Sequence, residues 1–86
     1  MNALETEINK VLTKWNPIGV PLSIAEIEYT SYIPKIIEVY KERKSIYSYL
    51  VYIYTEAMGY DINKEAEEAT KKANGQILQI LDNVSL

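Results

Sequence analysis

Apolar residues recur at helical spacing along nearly the whole chain. Leu4, Ile8, Val11, Leu12 and Trp15 follow one another at steps of four, three, one and three, one face of a helix. Glu5 and Glu7 lie early around the other faces and Lys10 and Lys14 late, the order that the helix dipole favours. Pro17 predicts the end of this helix near Trp15, because the residue before a proline is pushed out of the helical region. Residues 16–22, N-P-I-G-V-P-L, read as a stiff connector whose Ile18, Val20 and Leu22 tuck against the helices.

A second helix is predicted from Ser23, a capping residue with Glu26 three positions on. Tyr29, Tyr32, Ile33, Ile36, Ile37 and Tyr40 continue at helical spacing through Pro34. Either one helix kinks at the proline, or a short helix ends and another begins with Pro34 in its first turn. A single kinked or closely jointed unit is the preferred reading. Residues 46–54, I-Y-S-Y-L-V-Y-I-Y, are rich in strand formers, yet no second segment offers a strand to pair with. Leu50, Ile53, Tyr54, Ala57 and Met58 extend a helical stripe to Gly59, so the segment is read as a helix. The last helix is predicted after Asn63, with Ala66, Ala69, Ala73, Ile77, Ile80, Leu81 and Val84 as its apolar stripe and Gly75 as a weak point. The fold expected is all-α, four main helices in a compact bundle or orthogonal array, over a single domain 1–86.

Composition narrows the function. At 86 residues, 48% of them hydrophobic, the chain buries roughly 60–65% of the surface its unfolded form exposes, a thin but real core. It has eight Tyr and one Trp but no Phe, so its aromatic area carries polar handles that need partners or water. The net charge is −3, and the densest cationic groups, Lys41/Arg43/Lys44 and Lys71/Lys72, are too short to neutralise several phosphates. Nucleic acid is therefore not an expected partner. Without Cys there is no disulfide framework. No apolar run is long enough to span a membrane, and the first residues are acidic where a signal peptide is basic. The expectation is a cytoplasmic protein without a membrane partner.

The absence of both His and Cys removes the usual ligands of zinc, haem and iron–sulfur clusters, and the Ser-His and Cys-His nucleophile pairs. No glycine-rich phosphate loop is present. No metal, no cofactor and no catalytic residue are expected, and the chain is read as not an enzyme. Carboxylates beside tyrosines, namely Glu26 and Glu28 near Tyr29 and Tyr32, and Glu56 and Asp61 around Gly59, are read as solvated faces and caps. Glu65 and Glu68, which share one helix face, are read the same way. A large pocket converging on Glu28, Glu56 or Asp61 would change that reading.

The tyrosines carry more weight. Tyr47, Tyr49, Tyr52, Tyr54 and Tyr60 cannot all face one core from one helix, so some are ordinary surface residues or cover a partner. The candidate protein-binding residues are Glu28, Tyr29, Tyr32, Tyr47, Tyr49 and Tyr52, with either a foreign protein or a second copy as partner. Trp15 is the natural anchor where the first helix meets the connector; the alternative is a binding surface built on that same loop.

Trp15-Asn16-Pro17, closing a first amphipathic helix, resembles the W-[DN]-P signature of the YugE-like small bacterial proteins of unknown function. Ile53-Tyr54-Thr55-Glu56, then Gly59, Ile62, Glu65 and the closing Leu78-Gln79-Ile80, are similar to that family's second half. The resemblance covers nearly the whole chain and implies an all-helical fold without catalytic residues. Trp15-Asn16-Pro17-Ile18-Gly19-Val20, with Glu28-Tyr29, Tyr32 and Met58-Gly59, also resembles a related group carrying W-D-P-[IL]-G, D-E-Y-D-x-Y and M-G-[LY]. That group implies an accessory or immunity-type partner protein. Asn16 stands where the group has Asp, and Ile27 and Thr30 replace the acidic neighbours of Glu28-Tyr29, which weakens any acidic recognition site. The function expected is a protein-binding or accessory module of bacterial type; the alternative is a structural protein that self-associates through its tyrosine-rich helix.

Overall fold

A computed structural model describes residues 2–15, 19, 21–57, 59 and 61–84. Helix α1 (Ala3–Trp15) ends where Pro17 predicts. The Asn2 side chain accepts the Glu5 amide at 2.8 Å, closing the helix start. Ile8 and Leu12 are fully buried, and Leu4, Val11 and Trp15 flank them. The connector residues Asn16, Pro17, Ile18 and Val20, and also Met58 and Tyr60, lie outside the described residues.

Helix α2 (Leu22–Glu28) begins one residue before the expected cap. Pro21, at φ −54° and ψ 149°, turns the chain and accepts the amides of Ile24 and Ala25 at 2.9 Å through its carbonyl. Ser23 is thereby inside the first turn, and no side chain caps the helix. A single turn of 3₁₀-helix (Tyr29–Tyr32) then leads directly into α3 (Ile33–Lys41), with Pro34 in the first turn, where no amide is needed. This is the closely jointed unit anticipated at the proline. α3 stops in a left-handed turn at Arg43, φ 59°, whose amide reaches the Tyr40 carbonyl while Lys44 reaches that of Val39, both at 3.0 Å.

The strand-rich stretch is helical. Ser45 caps α4 (Ile46–Tyr52) by accepting the Ser48 amide at 3.1 Å. Ile46, Leu50 and Ile53 drive into the core, and their burial outweighs β propensity. The α-helical period does not persist to Gly59 as the stripe suggested. Ile53–Ala57 form a π turn, within which the Thr55 hydroxyl donates to the Val51 carbonyl at 2.9 Å. Gly59 has φ +73°, which suits a glycine closing the segment.

Asn63 caps α5 (Lys64–Asp82) as expected, accepting the Ala66 amide at 2.7 Å. Its buried line is Thr70, Ala73, Ile77 and Leu81. Two members of the predicted stripe fall outside it: Ala69 is exposed because the buried line of α5 runs through Thr70, and Val84, 39% exposed, lies past the end of the helix at Asp82. α5 packs against both α1 and α4, α1 also meets α2, and α3 meets α4. One apolar cluster joins all five helices, and the radius of gyration is 12.1 Å, as close packing of this length requires. Among the described residues there is no strand, so the architecture is all-α.

Candidate binding surface

Three of the tyrosines come together. Tyr49 and Tyr52, one helical turn apart on α4, stack with ring centroids 6.2 Å apart and planes 14° from parallel. Tyr32, from the 3₁₀ turn, lies close enough to bear on the Tyr49 phenol. Tyr49 and Tyr32 are half-buried, packed along the core's edge, while Tyr52 is 55% exposed. Burial first, and then the neighbouring Tyr32 and Tyr52 phenols, push the Tyr49 hydroxyl above the usual tyrosine range. The patch is a stiff aromatic platform rimmed with hydroxyls.

The other expected members are placed elsewhere. Tyr29 is 0% exposed, a core residue at the start of the 3₁₀ turn, and its ring is not available to a partner. Glu28 is exposed at the end of α2. Tyr47 is half-buried on α4 and bears on Lys71 of α5. The Lys71 ammonium is held above the usual lysine range, chiefly by its 2.8 Å hydrogen bond to Glu67 and the charge of that carboxylate. At the far end of α3 the Tyr40 hydroxyl donates to Asp82 at 2.6 Å, which raises its pKa and ties α3 to the end of α5.

A second surface was not legible in the spacing. An open groove of about 1020 Å³ runs over α1, lined there by Glu7, Lys10, Val11 and Lys14, with Glu26 and Ile27 of α2 on one side and Gln76 and Ile80 of α5 on the other. It continues into a smaller recess of about 310 Å³ that shares Val11, Lys14 and Gln76 and adds Trp15 and Lys72. The only hint in the sequence is Ile27, an apolar residue on the outer side of α2 that is 78% exposed. Glu28, Glu56 and Asp61 line neither hollow. Among the described residues no group of three or more acidic side chains is gathered to hold a metal ion.

Asn9 sits beneath this groove, 6% exposed, where its Nδ2 donates to the Glu26 carbonyl at 3.0 Å. Its Oδ1 and the Thr13 hydroxyl are buried without a hydrogen-bond partner. Compared with protein-family models, curated proteins and solved structures, the chain matches none.

Proposed function

We propose that this protein is a protein-binding accessory module that works through its aromatic surface and not through catalysis. The observation that carries the reading is the Tyr32, Tyr49 and Tyr52 patch, with its stacked pair and an outermost ring more than half exposed. Large, stiff, amphipathic rings lose little conformational entropy on binding and dominate interface energetics. The accessory or immunity-type character, in a bacterial cytoplasm, is supported by the resemblance of Trp15-Asn16-Pro17-Ile18-Gly19 to small proteins of that kind.

A benzophenone amino acid substituted for Tyr52 tests the reading inside cells that make the protein. Irradiation is expected to give a discrete adduct from position 52 and none from a control position on the exposed side of α5, such as Gln79. A second copy as the partner would appear as an adduct of twice the monomer mass, matched by a dimer in light scattering. No adduct from position 52, together with a monomeric solution mass, would sink the proposal.

A further inference from the structure

The charges of this chain are unevenly spread. Residues 15–34 and 45–63 contain Glu26, Glu28, Glu56 and Asp61 and no Lys or Arg, a charge of −4. The other segments hold all nine cations against eight carboxylates, a charge of +1. The two cation-free segments are the ones that supply the tyrosine patch, Tyr32 from the first and Tyr49 and Tyr52 from the second. Resting on the reading of that patch as a protein-binding surface, we propose that its occupant is a basic segment of another protein, which lays an arginine guanidinium on the ring of Tyr52.

Ring geometry is the first argument. The face of a phenol ring is the negative side of its quadrupole and attracts a cation. Tyr49 and Tyr52 stack 14° from parallel, so one side of the Tyr52 ring is turned to Tyr49, while the residue stays 55% exposed. A planar guanidinium laid on the open side continues the stack, which a compact lysine ammonium does less well.

Charge is the second. Glu56, exposed, follows Tyr52 by four residues, about one turn on through the π turn. Glu28, also exposed, closes α2 immediately before the 3₁₀ turn that carries Tyr32. Neither takes part in an ion pair among the described residues. Glu26 lines the groove over α1 and adds nothing to the patch. The cations that bound the two segments in sequence are Lys14, Lys35, Lys44 and Lys64. Lys35 pairs with Glu38 at 3.6 Å and Lys44 with Glu42 at 3.3 Å, while Lys14 lines the recess beside Trp15 and Lys64 opens α5. The elements that bear the three rings thus offer an incoming cation open aromatic faces and unpaired carboxylates, with no resident cation of their own.

The test uses a synthetic peptide of Arg alternating with Gly and Ser, and two counterparts in which citrulline, an uncharged isostere, or glutamate replaces each arginine. Binding to the whole protein is followed by NMR of the tyrosine rings. The Arg peptide is expected to shift the ring signals of Tyr49 and Tyr52, with affinity falling as salt is added. The citrulline peptide is expected to bind about tenfold more weakly, and the Glu peptide more weakly still. Tyr52→Leu is expected to lose the preference for arginine over citrulline, whereas Tyr52→Phe, which keeps the ring face, retains it. Glu56→Gln is expected to weaken the Arg peptide about threefold. Both positions are exposed, so these variants leave the core intact. Equal binding of the Arg and citrulline peptides, binding by neither, or a Tyr52→Leu variant that still prefers arginine would each overturn the proposal. Any of these results obtained alongside a photo-adduct from position 52 would sink the basic partner and leave the patch itself standing as a binding surface.

Discussion

The indole N–H of Trp15 donates to the hydroxyl of Thr70 at 3.1 Å, a bond that spans 55 residues of sequence and joins the end of α1 to the middle of α5. Thr70 is fully buried and passes its own proton back to the Ala66 carbonyl at 2.7 Å. A helix-interior threonine that bonds its own backbone leaves its oxygen free to accept, so the pair is satisfied without water.

Thr70→Val keeps the shape but removes the acceptor, and is expected to destabilise by about 1–2 kcal/mol as the indole N–H loses its partner. Trp15→Ala is expected to cost about 2–4 kcal/mol, under the range for a fully buried aromatic because Trp15 is only partly covered. Denaturant melts of Trp15→Phe, of Thr70→Val and of the two combined give the coupling, expected near 1 kcal/mol. A coupling of zero would mean that the bond contributes nothing.

Arg43 holds a left-handed conformation that costs an L-residue about 1–2 kcal/mol and a glycine almost nothing. Arg43→Gly is expected to raise stability by about 0.5–1 kcal/mol, the gain reduced by the added freedom of the unfolded chain. An unchanged or lower melting temperature would contradict it.

Gly75 presents the reverse case. It lies inside α5, exposed, with helical backbone and nothing within 4 Å of where a Cβ would stand. Gly75→Ala is expected to stabilise by about 1 kcal/mol, read as a shift in the denaturation midpoint without a change in slope.

Asn9 carries an orphaned Oδ1 in the interior. The Glu26 carbonyl that it contacts also accepts the Thr30 hydroxyl at 2.6 Å, so removing Asn9 strands no new group. Asn9→Leu is therefore expected to stabilise by about 1 kcal/mol, while Asn9→Asp, which sets a charge in the same place, is expected to destabilise by more than that. Loss of stability in the leucine variant would show that the amide is worth more than its unpaired oxygen costs.

Tyr40 and Tyr49 have hydroxyls that ionise above the usual range when folded. The unfolded chain gives up these protons first, near pH ~10. The stabilisation is thus complete below that value and is lost as pH rises through the folded pKa values. The raised Lys71 acts in the same direction and over a similar window. A tyrosinate absorbance titration should show a late-ionising subset that shrinks in Asp82→Asn and in Tyr49→Phe; a single transition for all the tyrosines would refute it.

Periodicity and caps made much of the fold legible. Asn63 caps the helix its position announced, and Ile8, Leu12, Leu50, Ile77 and Leu81 are buried as spaced, while Leu4 and Ile80 are only partly covered. What failed were features decided by a distant carbonyl or by depth. Ser23 lost the cap to the Pro21 backbone, and Asn9 is buried because Glu26 of another helix receives it. Tyr29 and Tyr32 look alike in sequence, yet one is sealed in the core and the other reaches the patch, because spacing ranks residues by face and not by depth. The stacking of Tyr49 on Tyr52 was open to inspection from their i, i+3 spacing; the groove was not, since its walls come from three separate helices.

The π turn at Ile53–Ala57 has one more residue in its loop than an α-helical turn needs. Each α-helical residue advances the chain by about 100°, so the surplus rotates the side chains of this segment relative to those of α4. A relative lacking one residue there would keep the same architecture with an unbroken helix in its place. An alignment that forbids gaps inside helices would then pair the residues from this turn to the connection before α5 with the wrong neighbours.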